Sequence, residues 1–173
     1  MTASGKPTDG TRLHLHILGS GSKGNCALVE GPEGLIMIDA GLSRRETLAR
    51  MHQLGLDEGR IRALVLTHEH TDHVSGAPVW CKHFEGALFA SAGTVAARER
   101  LRGLPFREFA PGDVLHIADV EVATFPTSHD VVNPVGFRFS CAGDSIGYAT
   151  DTGMLPPGAV HLLAGARILA LEC

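Results

Sequence analysis

The chain has 173 residues, 44% of them hydrophobic and 20% charged, with 21 glycines and a formal net charge of −4. That length suits one domain rather than two, and the composition is that of a globular α/β protein with many tight turns, neither disordered nor fibrous. The negative balance argues against a surface built throughout to bind nucleic acid, while leaving room for a local basic groove. No apolar run approaches the roughly 20 residues of a membrane-spanning helix, and the polar opening Met1 to Thr11 lacks the apolar centre of a signal peptide. A soluble, cytoplasmic protein without a membrane partner is expected, with a disordered tail over residues 1–11 and one domain over 12–173. The cysteines Cys26, Cys81, Cys141 and Cys173 are scattered and form no CxxC pair, so they read as free thiols rather than a disulfide framework or a zinc knuckle. The ten histidines say more, because histidine is the commonest metal ligand near neutral pH.

In chain order, Arg12 to Leu18 alternates polar and apolar residues, the period of a half-buried strand. Gly19 to Gly24 is a glycine-rich turn, and Asn25 to Glu30 and Leu35 to Ile38 form a hairpin about Gly31-Pro32. Ser43 and Glu46 have the spacing of a capping box, with Leu48, Met51 and Leu54 continuing a helix that Gly55 ends. The apolar strand Ala63 to Leu66 delivers a histidine cluster at its C-terminal end, where open α/β sheets place their chemistry. A helix from Asp72 to Phe84, a strand from Ala87 to Ala90 and a helix from Thr94 to Leu101 with a basic outer face follow. Strands are then expected over Val114 to Ile117, Val120 to Phe125, Val135 to Phe139 and Ile146 to Ala149. The last is an apolar core strand, Arg167 to Leu171, which ends so close to Cys173 that the domain reads as incomplete at its C-terminus.

The segment Thr67-His68-Glu69-His70-Thr71-Asp72-His73 puts three imidazoles and a carboxylate within six residues just beyond a buried strand. His68 and His70 lie two apart and point to one side of an extended segment, while Asp72 and His73, at the turn into a helix, can face a second ion. A solvated loop or a mononuclear structural site is the bland alternative, but neither usually carries this mixture of ligands.

The sequence T-H-E-H-T-D-H resembles the HxHxDH signature of the metallo-β-lactamase superfamily. That resemblance implies an αβ/βα four-layer sandwich of the α/β class, here without its C-terminal part, with a two-metal cleft at one edge of two packed sheets. It also implies a later histidine and an aspartate between the ions, and His129 in Thr127-Ser128-His129-Asp130 and Asp151 in Thr150-Asp151-Thr152 stand in the matching places. One ion would then be held by His68, His70 and His129, the other by Asp72 and His73, with Asp151 between them. The second ion remains one ligand short; His161, in a helix, is assigned to structure or surface. Asp39 in Asp39-Ala40-Gly41 matches the superfamily's early Asp-x-Gly and would support the ligands from behind, the alternative being a turn aspartate.

Leu18 to Cys26, Ile38 to Leu42 and Ser128-His129-Asp130 with Pro134-Val135-Gly136 narrow the resemblance to the WalJ/YycJ-like branch. That branch implies a phosphodiesterase, with 5′-to-3′ exonuclease action on DNA, using water activated between two divalent ions, zinc or manganese first. Asp72, or a histidine of the missing C-terminal part, is expected to assist proton transfer. Competing expectations are a thioester, lactone or small cyclic-phosphate hydrolase, and an inactive fragment holding one ion. A flavodiiron oxidoreductase would need glutamate at position 70, and a true β-lactamase would not have His73 directly after Asp72. Arg44, Arg45, Arg98, Arg100 and Arg102 read as a solvated basic face.

Overall fold

The structure, a computed structural model, describes residues 12–172. The tail expected over residues 1–11 lies outside them. Six strands, β1 (His14–Gly19), β2 (Cys26–Gly31), β3 (Gly34–Ile38), β4 (Ile61–Val65), β5 (Ala87–Ser91) and β6 (Phe106–Phe109), lie side by side in that order. Five more, β7 (Val114–Ile117), β8 (Val120–Pro126), β9 (Val135–Cys141), β10 (Asp144–Ala149) and β11 (Ile168–Leu171), make a second sheet, also in chain order.

Neighbours from β3 to β6 run parallel, so each step needs a crossover. The crossovers are α1 (Arg44–Gln53), the pair α2 (Thr71–Val74) and α3 (Ala77–His83), and α4 (Ala92–Ala97). In the second sheet α5 (Pro157–Leu163) carries the chain from β10 to the parallel β11. Ser43 caps α1 as its spacing with Glu46 predicts: its hydroxyl oxygen accepts from the Glu46 N–H at 3.2 Å.

Alternation decides the layers. Ala27, Val29, Ile36, Ile38, Ala63 and Val65 of the first sheet meet Val122, Phe137, Phe139 and Tyr148 of the second in a common core. Their sequence neighbours Leu28, Leu35, Met37 and Leu64 point the other way, onto Met51, Val74, Ala77 and Trp80 of the helices. Phe125 and Ala149 pack on Ala159 and Leu163 of α5. Helix, sheet, sheet, helix is the αβ/βα four-layer sandwich expected. Full burial of side chains such as Phe137 and Phe139 stabilises it by about 1.5–3 kcal/mol each. Among the described residues no helix is long and apolar enough to cross a membrane.

Four local expectations are corrected. The helix expected from Asp72 to Phe84 is two short ones, because the backbone at Gly76 presses on the loop after β3: its N–H donates to the Ala40 carbonyl at 2.7 Å, and a Cβ there would lie 2.4 Å from the Leu42 carbonyl oxygen. The helix expected from Thr94 to Leu101 ends at Ala97. Val95 and Leu101 are both buried, yet six helical residues would set them on widely separated faces, so the chain must leave the helix to bury both. Strand β6 was not expected, since Phe106 and Phe109 are three apart with exposed Arg107 and Glu108 between them, which hides the two-residue period of a strand. Finally, the expected core strand β11 lies, among the described residues, at the edge of its sheet, pairing with β10, with Leu169 and Leu171 about half exposed.

The buried Asp144 carboxylate fastens the start of the first sheet to the second. It accepts from the N–H groups of Leu13 and Ser145 at 2.9 Å each, and from Arg167 at 2.7 and 2.6 Å. The guanidinium of Arg167 is the main cause holding the Asp144 carboxyl below the usual range. A depressed carboxylate stabilises the fold above its unfolded value and ceases to do so as pH falls through the folded one. Asp144→Asn should therefore destabilise by about 2–3 kcal/mol near neutral pH, less than a fully buried pair because Arg167 is partly solvated. Urea denaturation at pH 7 and below pH 4 checks it: the difference between wild type and variant should shrink in acid.

Candidate metal centre

The C-terminal ends of four strands meet at one edge of the sandwich. Strand β3 leads into Asp39, β4 into Thr67 to His73, β8 into His129 and β10 into Asp151. Asp39 and Asp151 take left-handed backbone angles, φ 59° and 51°, which L-residues other than glycine seldom adopt. Such strain amounts to about 1–3 kcal/mol per residue and persists only where its surroundings impose it, as at functional sites.

Asp39 is fully buried and works as an acceptor hub. It receives the Thr67 N–H at 2.8 Å, the Thr67 hydroxyl at 2.8 Å and the ring nitrogen Nδ1 of His73 at 2.8 Å. With its single proton committed to Asp39, the Thr67 hydroxyl oxygen accepts from Nδ1 of His68 at 3.0 Å. Both rings thereby carry their protons on Nδ1, leaving the Nε2 lone pairs aimed into the cleft, the arrangement metal-ligating histidines require.

Two sets of donor atoms, each mutually within 4.8 Å, could hold an ion: His68 with His70 and His129, and His68 with His73 and Asp151. His129 Nε2 is 3.1 Å from His70 Nδ1, and His73 Nε2 is 3.1 Å from Asp151 Oδ2. The nitrogen Nε2 of His68 is buried without a hydrogen-bond partner. A buried lone pair left unpaired costs about 1–3 kcal/mol, which a cation at that point would offset, so these residues fit a metal ion. Burial, aided by His73, pushes the His68 pKa down to about 4, keeping it a neutral donor at pH 7. For His73 burial also favours the neutral form, but Asp39, Asp151 and Asp72 outweigh it and raise the pKa.

The metal-site residues named from the sequence, His68, His70, Asp72, His73, His129 and Asp151, with Asp39 behind them, are at this edge, and His161 is exposed on α5. Two details differ from the expected partition. His68 belongs to both donor sets rather than one, and Asp72 stands slightly apart, its Oδ2 3.8 Å from His73 Nε2. Sequence reasoning passed over Thr67, whose role depends on Asp39 on a different strand end, and Glu69, which looks like a solvated residue between two histidines. Glu69 is instead buried, accepting the Val132 N–H at 2.8 Å and so fixing the loop that follows His129. It also passed over Gly41, where a Cβ would fall 1.6 Å from the Asp72 carbonyl oxygen. Of the basic residues, Arg44 pairs with Glu58 at 2.8 Å, whereas Arg98 donates to the Thr71 hydroxyl and lines, with Arg100, Thr71, Val74 and Ser75, a cleft of about 400 Å³ beside the histidine loop.

Two packed sheets in a four-layer sandwich, with a histidine-aspartate cluster at their common edge, define a metal-site protein of the kind the signature motif implies. The Metallo-beta-lactamase superfamily profile matches residues 19–165, and the chain belongs to that superfamily. It is 33% identical over 164 residues to exodeoxyribonuclease YycJ of Bacillus anthracis, covering 92% of this chain and 62% of that protein. To exodeoxyribonuclease WalJ of Streptococcus pneumoniae it is 31% identical over 143 residues, 79% of this chain and 53% of the relative. The chain thus spans little more than half the length of these curated relatives. Zinc-bound PqqB from Methylobacterium extorquens shares the fold, with a TM-score of 0.78 at 17% identity over 91% of this chain and 72% of that one.

Proposed function

We propose that the chain carries the metal-binding part of a phosphodiesterase that acts on DNA as a 5′-to-3′ exonuclease, with zinc or manganese as the metal. The observation that carries the reading is the pair of donor sets meeting at His68, whose buried Nε2 has no partner within the protein. In this reading His68, His70 and His129 hold one ion, Asp72 and His73 the other, and Asp151 lies between. Two such ions, when bound, would supply a nucleophilic water near neutral pH and charge to polarise the scissile phosphate. The protein's own groups do the rest. Asp39 keeps His73 in the tautomer with Nε2 free, and Thr67 does the same for His68. Asp72, one-third exposed and facing the cleft, is placed to pass a proton to the leaving group. A cytoplasmic location belongs to the same proposal, since DNA is found there.

The identity with two exodeoxyribonucleases supports DNA over thioester or lactone substrates. Hydrolysis of bis-nitrophenyl phosphate and of 5′-phosphorylated single-stranded DNA, run beside thioester and lactone esters, tests it. Turnover of the phosphodiesters alone is expected, and thioester or lactone turnover without them would sink the reading.

The cleft at Arg98 and Arg100 begins at Thr71, between His70 and Asp72, and offers two guanidinium groups to a strand leaving the site. Reversing both charges, Arg98→Glu with Arg100→Glu, should weaken binding of a labelled single strand by about tenfold or more at moderate salt. Two lost phosphate contacts should also flatten the logarithmic salt dependence by roughly 1.4. Fluorescence anisotropy at several salt concentrations measures both, and unchanged binding would remove this cleft from the strand's path.

A further inference from the structure

Asn25 closes the glycine-rich turn and is 3% exposed. Its backbone ties two other segments together: its N–H donates to the Asp72 carbonyl at 2.7 Å, and its own carbonyl accepts from the Gly41 N–H at 2.9 Å. Its carboxamide is oriented by the turn, because Oδ1 accepts the Gly21 N–H at 2.8 Å. The amide nitrogen lies 3.3 Å from the Gly21 carbonyl oxygen and, more closely, 3.1 Å from Asp72 Oδ2 and 2.9 Å from His73 Nε2. Those two donor atoms are 3.8 Å apart, and the two N–H bonds of one amide span them.

We infer that Asn25 is the positioning residue for the second ion, holding the Asp72 carboxylate and the His73 ring with their lone pairs converging. This rests on the two-ion reading above. Asp72 needs such a hold. It sits in the first turn of a four-residue helix with its side chain 32% exposed, so an unrestrained carboxylate would turn to water and lose rotamer freedom on binding. Asn25 sets its orientation in advance. When an ion takes the lone pair of His73 Nε2, the amide gives up that bond and keeps the one to Asp72, whose oxygen has a further lone pair to offer. The contact to Gly21 remains, so the turn beside the cleft stays coupled to the second ion and not to the first.

The test is metal uptake by the metal-free full chain, titrated with cobalt(II) and followed by its visible absorption, with stoichiometry from elemental analysis. Asn25→Ala removes the amide but keeps both backbone hydrogen bonds of residue 25, and Asn25→Leu keeps nearly the same shape without N–H donors. In both variants the first cobalt should bind as in wild type and the second about 10–100-fold more weakly, the usual effect of removing a group that orients a ligand. The melting temperature of the metal-free protein should hardly change. Equal affinity for the second cobalt in wild type and variants would overturn the inference. So would equal weakening of both ions together with a lower metal-free melting temperature, which marks a merely structural role. A wild-type chain that takes up only one cobalt would overturn the two-ion reading itself, whereas two in wild type and two unchanged in the variants count against Asn25 alone.

Discussion

Replacing His68 with alanine is expected to cost the first ion and to weaken the second, while His70→Ala should cost the first alone. The asymmetry follows from geometry: the one free lone pair of His68 serves the first ion, but a ring nitrogen of His68 also lies within 4.8 Å of the donors at the second, whereas His70 belongs to one set. The ring is also the most confined of the cluster, with centroids 4.0 Å from His73, 4.8 Å from His70 and 5.0 Å from His129. An alanine there leaves a hole among polar groups that no neighbour can fill without losing its own hydrogen bond. Phosphodiesterase turnover should fall by at least about a thousandfold, at the upper end of what removing one electrostatic stabiliser of a transition state costs. Metal content by elemental analysis of the two variants checks the pattern. Equal affinity for the second ion in His68→Ala and His70→Ala would show that the His68 ring does not support His73.

Asp39→Ala should be the most destabilising change at the site, by about 3–5 kcal/mol in the metal-free protein. One carboxylate accepts from the Thr67 N–H, the Thr67 hydroxyl and the His73 ring, and all three donors are buried. Without it they are left unpaired in the interior, and the left-handed backbone at residue 39 loses the side-chain bonds that hold it there. Asp39→Asn tolerates that backbone and keeps one acceptor, so it should cost less while still weakening the metal by about 10–100-fold, because His73 is no longer held in its Nδ1–H form. Urea unfolding of the metal-free variants, with metal titrations beside it, gives both numbers. A loss below about 1 kcal/mol for Asp39→Ala would mean that water enters and satisfies the donors, and that Asp39 does not build the site.

Much of this was legible in the sequence, for identifiable reasons. Periodicity located β1 to β5 and β7 to β10 because each alternates or runs apolar between clear turn signals. The capping box placed the start of α1 to the residue. The candidate donors could be named because most of them crowd into one loop after a buried strand, where local spacing alone brings side chains together. What stayed hidden depends on contacts across the fold. Gly76 breaks a helix only because the loop after β3 presses on it. Leu101 leaves its helix only because the core lies where the helix does not point. Thr67, Glu69 and Asn25 are ordinary polar residues until the sheets bring Asp39, Val132 and Asp72 against them. The sharing of His68 between two donor sets follows from ring positions that no spacing rule encodes.

The central claim is that this chain gathers two ions at the edge where His68 and His73 stand side by side. Crystals of the metal-loaded protein, examined by anomalous diffraction at the manganese or zinc edge, test it most directly. Two separate peaks are predicted, one against His68, His70 and His129 and the other against Asp72, His73 and Asp151. A single peak, or peaks away from these residues, would contradict it.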